Sequence, residues 1–252
     1  TCAEKLLNSP ANFTASKLKW VKENEPDLYK NGFKAMLPGD YIAYKLSGEI
    51  NTTISGLSEG IFWDFKKEEI ASWLLDYYGV NEVLIAEIVA TFSDQGHITA
   101  KGALETGLAE GTPILYRAGD QPNNALSLNV FNPGEVAATG GTSGVVYAIT
   151  DNLSVTESSR VNTFAHVNYS PEKMRIGKLL CVNAAGIMYR WLLNNLKITS
   201  YQEMNELAAK VPIGSEGVII LPFGNGPERM LNNIDLGAQI GNINLNIHWD
   251  LC

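Results

Sequence analysis

The sequence predicts an α/β protein, and three observations carry that reading. Segments with a helical spacing of apolar residues alternate with short β-branched runs. A glycine-rich loop, Thr139–Gly140–Gly141–Thr142–Ser143–Gly144, separates two β-type runs. Hydrophobic residues make up 45% of the 252 residues, enough to fill a substantial core.

The elements follow from local signals. Ala3–Leu7 is helix-like. Ser16 is read as the N-cap of a helix running to Asn24, which Glu25-Pro26 ends because the residue before proline avoids the helical region. Pro38-Gly39-Asp40 starts a second helix over Tyr41–Leu46, stopped by Gly48. Lys66–Tyr78 places Ile70, Trp73, Leu74 and Tyr77 at helical spacing, with Gly79 as its C-cap. Glu82–Val89 reads as a short helix. Gly111-Thr112-Pro113 leads into a strand that passes through Ile114–Leu115–Tyr116 and ends at Asp120. Glu135–Ala138 and Val145–Ile149 are the β-type runs on either side of the glycine-rich loop. The alternation over Val161–Tyr169 makes His166 a sheet residue. Asn183–Leu196 and Tyr201–Val211 read as helices, and Gly217–Leu221 as a buried strand.

Charge and composition narrow the function classes. With 19 Lys and Arg against 27 Asp and Glu, the net charge is −8, which argues against nucleic-acid or anionic-membrane partners. No apolar run has the length of a membrane span, and no signal-peptide pattern is present. Cys2, Cys181 and Cys252 lack metal-ligand spacing, and an odd count suits a reducing compartment. His97, His166 and His248 form no zinc pattern, so no protein metal site is expected. The expected location is cytoplasmic.

The chemistry concentrates in Arg117–Ala148. An acid at a strand end, Asp120, can accept the proton of an alcohol. A loop of small residues lets backbone N–H groups approach a phosphate closely. Together they suggest phosphoryl transfer to a hydroxyl. Each signal has a plainer reading: Asp120 as a turn or capping residue, and the loop as a tight hairpin. The loop is not a Walker motif, because no Gly-Lys-Ser/Thr follows at the required spacing.

The run GDQ followed by NPGEVAATGGTSGVV resembles the FGGY family of carbohydrate kinases. Three further stretches agree: FTASKLKWVKENEP over residues 13–26, LPGDYIAYKLSGE over 37–49 continuing through Thr53, Ser55 and Phe62–Asp64, and LPFGNGPER over 221–229. The likeness runs from about residue 9 to residue 240 in the family's order. It implies the ribonuclease-H-like, actin/hexokinase-type two-domain fold, incomplete in this chain. Residues 1–116 would then finish the N-terminal domain and 117–252 begin the C-terminal, nucleotide-side domain. Asp120 would sit at the junction, where closure brings sugar and nucleotide together. The family's upstream phosphate hairpin and downstream adenine site are not in the text, so the chain looks like the middle portion of a longer kinase.

By the same resemblance, Asp120 matches the catalytic base, and Gln121 is placed to bond a sugar hydroxyl. Gly141, Thr142 and Ser143 match the loop facing the ATP phosphates. Gly186, in the small-residue stretch Asn183–Gly186 that opens a helix whose N–H groups could meet an anion, lies near a nucleotide contact, with close packing as the equal alternative. Lys17 and Trp20 are read as scaffold. The family uses ATP and Mg²⁺, and the favoured acceptor is D-xylulose, giving D-xylulose 5-phosphate. Gluconate, ribulose, fuculose or glycerol as acceptor, and a non-catalytic sugar-responsive protein of the same fold, are the rival readings. A homodimer is allowed for. One departure stands out: Pro122-Asn123-Asn124 follows the Gln where many relatives carry Ala-Ala, which could reshape the helix start beside the base.

Overall fold

The structure is a computed structural model that describes residues 2–10, 13–157 and 159–243. Cys252 and His248, named above, lie outside the described residues. In chain order the elements are α1 (Cys2–Leu6), α2 (Thr14–Asn24), α3 (Pro26–Asn31), α4 (Pro38–Ser47), β1 (Asn51–Thr53), α5 (Ile54–Gly60), β2 (Trp63–Asp64), β3 (Glu69–Ile70), α6 (Ser72–Tyr78), β4 (Glu87–Val89), α7 (Ala100–Thr106) and α8 (Asp120–Ser127). They continue with β5 (Val136–Gly140), β6 (Gly144–Thr150), β7 (Asn162–Ala165), β8 (Ile176–Val182), α9 (Ala185–Asn195), α10 (Tyr201–Ala208), β9 (Ile219–Leu221) and β10 (Gln239–Gly241). Among the described residues, those up to 137 with those from 147 to 179 form one compact unit, and 138–146 with 180–243 form a second.

The first unit is built around Leu6, Leu7, Ile61, Phe62, Trp63, Leu74, Leu75 and Ile176, all buried. Helix α5 lies against β7. Thr53 caps its N-terminus by accepting from the Gly56 N–H at 3.1 Å, which satisfies one of the orphan donors of a helix start. Ser58 accepts from the Ala165 N–H at 2.8 Å, which ties the helix to the strand. Strands β7 and β8 pair antiparallel, from Asn162 opposite Leu179 to Ala165 opposite Ile176. They belong to a four-stranded sheet in the order β5-β6-β8-β7.

Several expectations hold and others do not. Gly48 and Gly79 end α4 and α6 in the left-handed region, at φ 81° and 61°, as their sequence positions predict. The helix expected from Ser16 begins two residues earlier, and the Ser16 hydroxyl instead donates to the Pro10 carbonyl at 2.5 Å. The first third of the helix expected over 66–78 is a hairpin. The Asp64 carboxylate accepts from the N–H groups of Lys66 and Lys67 at 3.0 and 3.1 Å, so β2 turns back onto β3 before the helix can begin. Glu82–Val89 is a short 3-10 turn over Glu82–Leu84 followed by β4, which pairs in parallel with β1. The β-branched Ile88 and Val89 suit that pairing.

The strand expected to end at Asp120 is irregular extended chain. It is bonded to residues 92–98 through the Phe92–Tyr116 and His97–Pro113 bridges. Asp120 is the first residue of α8, not the end of a strand. In the second unit β9 pairs antiparallel with β10, and all three of its residues are exposed, so the buried strand expected at 217–221 is a surface one.

His166 lies one residue beyond β7 and is fully buried. Its Nε2–H donates to the Val130 carbonyl at 3.0 Å, and Nδ1 accepts from the Tyr147 hydroxyl at 3.3 Å, a tautomer assigned from that network. Burial pushes the ring down to about 4, against a small opposing pull from the Val130 carbonyl. The unfolded chain therefore takes up the proton first as pH falls. The contribution of His166 to native stability is fully present above about pH 6.5 and is lost as pH drops from there toward 4, by about 3 kcal/mol in all. Urea denaturation at several pH values should show this slope in the natural protein and lose it in His166→Gln. An unchanged slope in the variant would contradict the assignment.

Candidate active site

A cavity of about 580 Å³ opens in the first unit, within the size range of small-molecule sites. Its polar wall brings Asp120 and Gln121 together with Asp40, Arg117, Asn123, Glu59 and Lys17. Gly119 caps α8 with extended backbone, and the helix opens on the Gly119 carbonyl, which accepts from the Asn123 N–H at 3.1 Å. Asp120 is therefore in the first turn, where a negative side chain suits the helix dipole. Its Oδ1 accepts from the N–H of Gln121 at 2.7 Å, and the residue is otherwise exposed to the cavity. Pro122 falls in the same turn, where the missing N–H would have no partner anyway, so the departure at 122–124 leaves the helix start intact.

Four residues of this wall escaped the sequence reading as site residues. Glu59 comes from α5, where Thr53, Gly56 and Glu59 recur every three residues and line the cavity from one face. Burial first, then the charge of Asp120 and a hydrogen bond with it, raise the Glu59 carboxyl to about 7. Arg117 donates from Nε to Gln95 Oε1 at 2.9 Å and bonds Asn51, and its Nη1 faces Asp40 Oδ1 at 3.6 Å. Asp40 in turn accepts from the Thr52 hydroxyl at 2.9 Å. Burial raises the Asp40 carboxyl and lowers the Arg117 guanidinium, each opposed by the other's charge. Asn123 accepts from the Tyr116 hydroxyl at 3.0 Å. Lys17 lines the cavity, and Trp20 is 57% exposed.

The second unit holds the other candidate residues. Gly141 and Thr142 are exposed at the tip between β5 and β6. The loop is closed by the Gly141 N–H donating to the Ser143 carbonyl at 3.0 Å. It rests on the start of α9: the Gly186 N–H donates to the Thr142 carbonyl at 3.1 Å, and the Ser143 hydroxyl to the Asn183 carbonyl at 3.4 Å. A Cβ at Gly186 would lie 2.0 Å from the Gly141 carbonyl oxygen, so only glycine permits this approach. Gly186 thus seats the loop by close packing, and its own N–H is committed to that contact. The Asn183 N–H donates to Glu228, a fully buried carboxylate, at 3.1 and 3.2 Å. Asn225-Gly226 forms a bend, with Gly226 at φ 83°. A largely apolar pocket of about 360 Å³, lined by Ile187, Met188, Trp191 and Phe223 among others, opens beside α9. Among the described residues no group of three or more metal-ligating side chains is present, and no helix is long and apolar enough to cross a membrane.

This fold is that of the two-domain sugar kinases related to actin and hexokinase. The xylulose kinase of Rhodospirillum rubrum superposes with a TM-score of 0.81 at 22% identity, covering 99% of this chain and 50% of that one. A Plasmodium falciparum glycerol kinase with ADP gives 0.82 at 19% identity, covering 99% and 50%. Residues 5–127 match the N-terminal domain of the FGGY family of carbohydrate kinases. A xylulose kinase of Haemophilus influenzae is 31% identical over 220 residues, which are 85% of this chain and 43% of that protein. The chain spans about half the length of the curated relatives it matches.

Proposed function

We propose that the protein carrying this chain transfers the γ-phosphoryl group of ATP to a sugar hydroxyl, with D-xylulose as the acceptor and D-xylulose 5-phosphate as the product. The observation that supports this most is the polar cavity in which Asp120 and Gln121 face outward beside Glu59 and Arg117. An alcohol is a weak nucleophile, so a carboxylate within reach of its proton is what the reaction needs. The hydroxyl oxygen bonds to the γ-phosphorus as the bond to the β–γ bridging oxygen breaks. ADP leaves with that electron pair, and Asp120 holds the proton. Gln121 binds a neighbouring hydroxyl and orients the sugar.

The phosphates are assigned to Gly141, Thr142 and Ser143. A side chain at Gly141 would meet nothing of this chain closer than the Ser143 carbonyl oxygen at 3.8 Å, so the space over that residue is free for a ligand. Gly186 supports the loop from below. Mg²⁺ would come with the triphosphate and neutralise its charge, consistent with that ion's preference for phosphate oxygens. The location we propose is the cytoplasm, where ATP and free sugar meet.

A coupled ADP-release assay on the full-length protein with D-xylulose, L-xylulose, ribulose, fuculose, gluconate and glycerol tests the reading. The highest kcat/KM is expected for D-xylulose. Preference for gluconate or glycerol would replace the acceptor, and no ADP release with any acceptor would favour a sugar-responsive, non-catalytic protein.

A further inference from the structure

Glu59 has no part in the reaction as written, yet its position is built with care. It reaches from α5 to the start of α8, so that a Cβ at Gly119 would lie 1.8 Å from its Oε2. Glycine at 119 therefore leaves room for this carboxyl beside Asp120. The Glu59 and Asp120 carboxyls line the same cavity wall, and two carboxyl groups side by side can share a hydrogen bond only while one keeps its proton.

We propose that Glu59 is a positioning residue for the base: its protonated carboxyl donates to Asp120 and holds that carboxylate toward the acceptor hydroxyl. This rests on the reading of Asp120 as the base. The charged groups around Glu59 come from every neighbouring element. Asp120 is on α8, Arg117 precedes it, Asp40 is on α4 and Lys17 on α2, and the Tyr147 phenol of β6 interacts with Glu59. Arg117 and Asp40 face each other at 3.6 Å and largely cancel. Burial pushes the Tyr147 phenol well above its ordinary value, so it stays neutral. The Glu59–Asp120 pair is then the unit that changes charge near neutrality, because burial and the Asp120 charge hold the Glu59 carboxyl at about 7. Below that pH the pair carries one proton and one negative charge. Above it the donor is lost, the two carboxylates repel, and added negative charge opposes the incoming triphosphate. Turnover falls as pH rises through this range.

The test compares the full-length natural protein with Glu59→Gln, Glu59→Ala and Asp120→Asn between about pH 6 and about pH 9. In the natural protein kcat should be about ten-fold below its plateau at pH 8, because only about a tenth of a group titrating near 7 is still protonated there. Glu59→Gln keeps a donor and cannot ionise, so its profile should lack this alkaline fall; nucleotide ionisation is common to both proteins. Glu59→Ala should lose kcat by about ten-fold or more with the sugar KM little changed, as for removal of a hydrogen bond to a charged group. The same alkaline fall in Glu59→Gln would overturn the proposal. If Asp120→Asn keeps its turnover, the base assignment fails. If Asp120→Asn is inactive while Glu59→Gln keeps the natural profile, the positioning role alone fails. Carbon-13 NMR of labelled glutamate carboxyls gives a readout independent of turnover. One signal should titrate near 7, vanish in Glu59→Gln and move toward the ordinary carboxylate range in Asp120→Asn; only ordinary glutamate midpoints would overturn the proposal.

Discussion

Asp120→Asn in the full-length protein should lower kcat by roughly 10²-fold or more, the loss expected when a general base is removed. The amide occupies the same volume at the first position of α8, its oxygen can still accept from the Gln121 N–H, and Gly119 and the bond from Asn123 frame the backbone as before. The cavity wall keeps its shape, so ATP and sugar should bind nearly as before. The change should appear in kcat and in kcat/KM by similar factors, the pattern of an interaction needed only as the hydroxyl attacks. Steady-state kinetics with the preferred sugar, joined to calorimetric sugar binding, separates the two. Near-normal turnover would show that Asp120 is a helix-start residue and nothing more. A large loss of sugar affinity with kcat intact would make it a binding residue.

The second large effect is expected from Gly186→Ala. The added methyl would be placed 2.0 Å from the Gly141 carbonyl oxygen and 3.2 Å from the Thr142 Cα, both main-chain atoms that cannot rotate away. The loop must lift from α9 and break the bond from the Gly186 N–H to the Thr142 carbonyl. Under the proposed function, displacing the loop atoms by about an ångström should cost roughly 10²-fold in rate. The ATP KM should rise and kcat fall, while sugar affinity is little changed. Gly141→Val is the matched control. It meets open space in the chain itself, so a raised ATP KM in that variant reports the nucleotide directly. Normal ATP kinetics in both variants, with folding confirmed by circular dichroism, would place the phosphates elsewhere.

How far the site could be read in the sequence depended on how local its parts are. Asp120 and Gln121 are adjacent and the loop over 139–144 follows within about twenty residues, and the structure places the first two on a cavity wall and the third at an exposed tip. Glu59 lies about sixty residues before its partner, on a helix whose small residues Ser55, Gly56, Ser58 and Gly60 give no apolar periodicity. Only folding brings it to Gly119. Helices with clear stops were legible because Gly48 and Gly79 supply a left-handed cap that few other residues adopt. The hairpin over 63–70 was not, because it depends on one buried carboxylate, Asp64, gathering two backbone N–H groups and the Trp73 indole N–H. The strand expected to end at Asp120 fails for a related reason. Its partner segment, 92–98, turns through Asp94 and Gly96 and offers scattered bridges in place of a regular ladder.

Hydrogen–deuterium exchange of the full-length protein, with sugar and with nucleotide added separately, tests the central assignment most directly. D-xylulose should slow exchange in residues 117–123 and in α5 around Glu59. A nonhydrolysable ATP analogue should slow it in residues 139–144 and at the start of α9. Protection of 139–144 by the sugar, or of 117–123 by the nucleotide alone, would contradict the account.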